Sequence, residues 1–217
     1  MKSGAITGNT CIGGSGGGVN VSENAIFTMK GGEISGNTAT ENNGGNGGGV
    51  QVGRNATFTM EGGEISGNTA NSCGGGVRLR GTFTMKGGKI SGNTTKRGGG
   101  VDSWQGTFIM EGGEISGNSN TSESESGGGL YVGGENATFT KTGGIIYGDT
   151  DTTHTPGSTE NTALNSRGHA VSLAHRIRRN ATAGEEITLY AKNENGVWTY
   201  NDSSTGGVGD TTANWGN

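Results

Sequence analysis

The chain reads as an all-β protein, a right-handed single-stranded parallel β-helix of about six coils with three short strands per coil and a C-terminal β cap. Three observations predict this solenoid. All five phenylalanines and all five methionines belong to one recurring phrase, F-[TI]-M-x-G-G-x-I-S-G-N. A second phrase, G-G-G-[VL]-x-[VLS], runs between its copies. Glycine, at 49 of 217 residues, is placed with the same regularity. Bulky residues at a fixed period mark each repeat as one rung of a stack.

Met1–Thr10 is the tail of a unit. Full copies of the first phrase span Phe27–Thr38, Phe58–Thr69, Phe83–Thr94 and Phe108–Ser119, and a degenerate one spans Phe139–Thr150. The second phrase lies at Gly16–Val21, Gly47–Val52, Gly74–Leu79, Gly98–Ser103 and Gly127–Val132, with an echo at Gly168–Leu173. The shortest period is 25 residues, Phe83 to Phe108, and others reach 31, as Phe27 to Phe58.

Each unit holds three segments of period-2 patterning separated by glycine: Val50-Gln51-Val52, Thr57–Met60 and Glu64–Ser66 in the second full unit. Alternation puts the valines, the Phe and Met, and the Ile on one side, with Thr, Glu and Ser on the other. Stacked coils lie about 4.8 Å apart, so like residues form columns. Ile6, Ile34, Ile65, Ile90, Ile115 and Ile146 make an aliphatic column. Asn9, Asn37, Asn68, Asn93 and Asn118 are expected to form an inward ladder at one corner, each amide bonding the next coil's backbone. A hydrophobic share of 27% suits a core only one coil wide. The periodicity excludes a Gly-rich disordered chain, and the glycine content excludes a helical one.

Extra residues are expected chiefly after the Asn-Thr corner, at Ala39–Asn46, Thr95–Arg97, Asn120–Ser126 and Asp151–Arg167. Smaller ones fall between the first and second strands, as at Gly133–Ala137. The last repeat departs from the pattern: Lys141 replaces Met, Asp149 replaces Asn, and Ile145 and Tyr147 stand where Glu and Ser faced water. Residues 1–173 therefore read as the β-helix and 174–217 as a cap. In the cap, Ile187–Ala191 and Val197–Tyr200 are strands around a turn at Asn193–Gly196, and Trp215 is a further candidate member. Met1 falls in the methionine column. The chain thus starts partway through a repeat, which suits a piece of a longer protein or an edge that stacks head to tail into a homo-oligomer.

A net charge of -4 argues against nucleic acid as a partner. No stretch reads as a transmembrane helix, so no membrane insertion is expected. His175, Arg176, Arg178 and Arg179 form a basic cluster that suits a solvated or ion-paired edge. Cys11 and Cys73 are expected at one variable corner two coils apart, roughly 10 Å, as free thiols.

Charged ladders run at Lys30, Glu61, Lys86, Glu111 and at Glu33, Glu64, Lys89, Glu114, a pattern that sheet pairing alone rewards. Outward threonines form two ranks. One is Thr57, Thr82, Thr107 and Thr138; the other is Thr28, Thr59, Thr84 and Thr140, interrupted by Ile109. Such a flat T-x-T array resembles the ice-binding face of β-helical antifreeze proteins, although threonine is also a favoured strand residue. The first-strand face varies most: Asn20, Gln51, Arg78, Asp102 and Tyr131 point outward, with Arg54, Arg80 and Trp104 nearby. Gln51, Arg78, Asp102, Trp104 and Tyr131 are the candidate ligand-binding residues, suited to a glycan or a protein. A drifting solvent face is the alternative. His154 and His169 lack an evident partner, and no nucleophile–base, metal or phosphate motif occurs. No catalytic activity, metal or cofactor is expected.

Ile-Ser-Gly-Asn-Thr followed by Gly-Gly-Gly-Val resembles the F-x-x-N and G-G-A-[ILV] pair of polymorphic outer-membrane-protein repeats, with Ile in place of Phe. The whole unit looks still more like the Gly-rich β-helix repeats of spirochaete and gut-bacterial surface proteins. The likeness covers residues 1 to about 173. It implies a non-enzymatic, adhesive passenger at a bacterial surface or outside the cell, meeting a glycan or a host or neighbour-cell protein. Self-assembly into filaments is the second expectation and a polysaccharide-active enzyme the third.

Overall fold

Segments whose side chains alternate cannot bury their apolar halves alone; stacking does it for them. The computed structural model describes residues 1–40, 44–122, 127–147, 161–163, 171–173, 177–179, 189–194 and 197–202. All regular elements among these are strands, and they wind as a parallel β-solenoid. The first sheet stacks Val19–Val21, Val50–Val52, Val77–Leu79, Val101–Trp104, Leu130–Gly133 and Val171–Leu173. The second stacks Ile26–Met29, Thr57–Met60, Thr82–Met85, Thr107–Met110 and Thr138–Lys141. The third stacks Ala5–Thr7, Glu33–Ser35, Glu64–Ser66, Lys89–Ser91, Glu114–Ser116 and Ile145–Ile146. These are the three strands the sequence predicts, in the register that puts Phe on Phe and Met on Met. A fourth sheet joins them. The residues after each asparagine extend for one more short strand, at Thr10–Ile12, Thr38–Thr40, Thr69–Ala70, Thr94–Thr95, Ser119–Asn120 and Thr162–Ala163.

The core follows from the columns. Successive phenylalanine rings stack at 5.3, 4.6, 5.0 and 5.3 Å from Phe27 to Phe139, the spacing that parallel registry dictates. Ile34, Ile65, Ile90 and Ile115 are fully buried beside them. At the corner after the second sheet each methionine folds against the next coil's backbone. Gly88 adopts φ +88 there, and a Cβ on it would stand 2.7 Å from Met60 Cε. Only glycine fits that position.

The asparagine ladder is continuous. Asn68 Oδ1 accepts from the Asn37 backbone N–H at 2.9 Å and from Asn37 Nδ2 at 3.0 Å. Asn68 Nδ2 donates to Ile34 O and to Asn93 Oδ1, both at 2.9 Å. Both amide hydrogens and the amide oxygen are thus used. One expectation is corrected at its far end. Asp149 lies outside the described residues, and the rung above Asn118 is Asn161, whose Oδ1 accepts from Asn118 N at 3.0 Å and from Asn118 Nδ2 at 2.7 Å. The last long insertion therefore precedes its asparagine instead of following it.

Strand direction reverses at the C-terminal end. Leu189–Glu194 pairs antiparallel with Thr138–Lys141, Leu189 opposite Lys141, and Val197–Asp202 pairs antiparallel with Leu189–Glu194. Ile177–Arg179 pairs antiparallel with Val171–Leu173. The first hairpin strand runs on through Glu194, so the turn is narrower than Asn193–Gly196. Ile187, Thr188, Trp215, His154, His169, His175 and Arg176 lie outside the described residues. Cys11 and Cys73 are free, but they do not share a corner. Cys11 pairs in register with Ala39, whereas Cys73 bridges to Asn46, because Cys73 belongs to the link beyond the fourth strand.

Candidate functional site

The outer face of the first sheet is more enclosed than the alternation alone suggests. Arg78, Asp102 and Tyr131 stand in neighbouring rungs as the alternation requires, yet they are buried, at 4%, 0% and 2% exposure. The path of the chain explains it. Each first strand is reached through a glycine that folds back over the strand's outer side; a Cβ on Gly98 would stand 2.7 Å from Asp102 Cβ. The link that ends in Gly98 carries Arg97, which sequence reasoning did not single out. Arg97 Nε donates to Asp102 Oδ2 at 2.6 Å, and Arg78 Nη1 donates to Asp102 Oδ1. The Arg97 guanidinium lies 4.7 Å from the centre of the Trp104 ring and 5.0 Å from that of Tyr131. Burial opposes the charge on Arg97, and the Asp102 carboxylate more than offsets it, holding Arg97 above the ordinary arginine range. Trp104 stacks on Tyr131 with ring centres 6.5 Å apart. Four of the five candidate ligand residues thus belong to one packed ionic and aromatic cluster. Gln51 is half-buried beside it and donates its Nε2 to Val52 O at 3.3 Å.

The adjoining edge, where the first sheet turns into the second, is the open surface. Links of different length cross it. In the third coil the link is only Arg80 and Gly81, while Gly53–Ala56 precedes it and Gly134–Ala137 follows two coils later. Asn55, Gln105 and Asn136 turn the chain with φ of 55, 63 and 62. Asparagine tolerates that left-handed backbone, whereas glutamine rarely adopts it. The short link leaves a recess of about 430 Å³ lined by Glu23, Arg54, Asn55, Arg80, Gln105, Glu135 and Asn136. Arg54 and Arg80 are exposed, and neither makes an ion pair among the described residues. Arg80 holds its proton less firmly than usual, through partial burial and then through the like charges of Arg78 and Arg54. Sequence reading placed Arg54 and Arg80 only near the candidate set and missed Glu23, Gln105 and Glu135. Their signal was the uneven link length.

The second sheet presents the threonine ranks as expected. Thr57, Thr82, Thr107 and Thr138 are register partners, as are Thr59 and Thr84, then Ile109 and Thr140. Thr138 Oγ1 donates to Thr107 Oγ1 at 3.0 Å. The charged ladders close as sheet pairs, Lys30 Nζ to Glu61 at 3.1 Å and Lys89 Nζ to Glu114 at 2.9 Å. A shallow channel floored by Gly4, Gly32, Gly63 and Gly88 runs beside Glu33, Glu64 and Lys89. Among the described residues no group of three or more His, Cys, Asp or Glu side chains could hold a metal ion, and no helix is long and apolar enough to cross a membrane.

In comparisons with protein-family models, curated proteins and solved structures, nothing matches this chain.

Proposed function

We propose that this chain is a non-enzymatic binding module, displayed at or released from a bacterial surface, that adheres to a glycan or protein along the edge between its first and second sheets. One observation carries the reading. The Phe, Met, Ile and Asn columns repeat coil after coil, but this edge mixes links of four residues (22–25, 53–56, 134–137) with links of two (80–81, 105–106) and holds the recess at Arg54 and Arg80. Variation carried on a rigid scaffold is the arrangement that recognition uses. The test is a glycan and protein array probed with the labelled chain, followed by the variants Arg54→Ala and Gln105→Ala. Saturable binding weakened by these changes supports the module; a blank array, or binding unaltered by either, counts against it.

A second reading has its own observation, the two in-register threonine ranks on the second sheet. Their spacing, about 4.8 Å across strands and 6.7 Å along them, repeats in two dimensions as an ice lattice does. Ice-recrystallisation assays of wild type and Thr82→Lys decide it, since a lysine there disrupts the array; equal or absent inhibition rejects ice binding.

A further inference from the structure

We infer that the edge groove takes a carboxylated sugar, its carboxylate held between Arg54 and Arg80; this rests on the reading of that edge as a binding surface. A guanidinium presents a planar fork of N–H donors matched to a carboxylate. Here two such forks stand in successive coils, exposed and in no ion pair among the described residues. Their mutual repulsion is relieved by one bound anion.

The rest of the lining sets how much negative charge the ligand carries. Glu23 lies one coil before Arg54, and Glu135 two coils beyond Arg80, so the four formal charges of the groove cancel. A polyanion charged on every unit would press against both glutamates. A ligand with one carboxylate flanked by neutral, hydroxylated units would not. Its hydroxyls donate to Glu23 and Glu135, while the amides of Asn55, Gln105 and Asn136 both donate and accept. From the coil of Glu23 to that of Glu135 the groove runs about 19 Å at one strand spacing per coil, room for a short oligosaccharide. A uronate within a chain and a terminal sialate share this chemistry.

Calorimetric titration of the full chain with sialyllactose, a hyaluronan oligosaccharide, a heparin oligosaccharide and neutral lactose tests the assignment. One of the first two probes binds, and identifies which source of carboxylate the groove accepts. Arg54→Ala and Arg80→Ala each weaken it about tenfold, the loss of one charge-assisted pair, with melting temperatures unchanged because both side chains are exposed. Heparin binds weakly until Glu23→Gln and Glu135→Gln are combined. Lactose binding as tightly as sialyllactose, heparin binding best with both glutamates intact, or acid-sugar binding indifferent to both arginine variants overturns the assignment. Lactose or a protein engaging the edge without needing the arginines overturns the carboxylate assignment and leaves the binding edge standing. No binding by any probe, together with a blank array, overturns both.

Discussion

Arg97 Nε donates to Asp102 Oδ2 at 2.6 Å from a link that folds over the outer face of the first sheet, and the same carboxylate accepts from Arg78. The Asp102 side chain is fully buried and the two guanidiniums nearly so, at 0%, 15% and 5% side-chain exposure. Removing the carboxylate strands two buried cations. Asp102→Ala is expected to cost roughly 3–5 kcal/mol, read by chemical denaturation, whereas Arg80→Ala on the open edge stays within about 0.5 kcal/mol. Equal costs at the two positions would show that the cluster is not the packed element described.

The asparagine ladder makes a second contrast. Asn68→Ala leaves the Asn37 backbone N–H and one Asn37 Nδ2 hydrogen without their acceptor inside the stack. The expected loss is roughly 2–4 kcal/mol, the penalty for orphaned buried groups. Asn9, at the exposed first rung, loses far less on the same change. A flat response along the column would mean that the side-chain amides contribute nothing beyond the sheets.

At the methionine corner, Gly88→Ala forces a side chain into left-handed backbone and against Met60 Cε. About 1–2 kcal/mol follows from the backbone alone. Pairing it with Met60→Ala removes the side-chain part of the collision and leaves the Gly63 carbonyl oxygen at 2.6 Å, so the double variant stays destabilised but by less than the sum of the singles. Strict additivity in a double-mutant cycle contradicts the packing described for that corner.

Burial pushes the Cys73 thiol above its ordinary value of 9.0, and the Asp102 carboxylate adds to the effect. The folded chain therefore keeps this proton to higher pH than the unfolded chain does. Its contribution to stability is full below about pH 9 and is lost as pH rises through the raised value. Native Cys73 should react slowly with a thiol reagent, and Cys73→Ala should lose less stability than wild type above pH 9.0. Parallel pH curves for the two proteins reject this.

Alternation and stacking make most of the fold legible in the sequence. Phe83 between Phe58 and Phe108, and Asn68 between Asn37 and Asn93, follow from period and parity alone. Asn161 was harder. Spacing from Ile146 points to Asp149, while Asn161-Thr162-Ala163 repeats the Asn-Thr-Ala of Asn37–Ala39 and Asn68–Ala70 at an irregular distance. The site was legible only in part. Parity puts Arg78, Asp102 and Tyr131 on the outer side of the sheet, but it does not say whether that side meets water. A left-handed glycine decides it, because Gly98 carries Arg97 back across the strand. The candidate edge showed in the sequence as unequal links, whose lengths reveal a recess only once they are stacked.

On the proposed reading, recognition uses the edge between the first and second sheets and leaves the buried cluster and the threonine face aside. Hydrogen-exchange mapping of the chain with and without its array-selected ligand tests it most directly. Protection confined to residues 22–25, 53–56, 80–81, 104–106 and 133–137 is the predicted result. Protection centred on the second-sheet strands at Thr57–Met60 and Thr82–Met85, or none at the edge despite saturable binding, would contradict it.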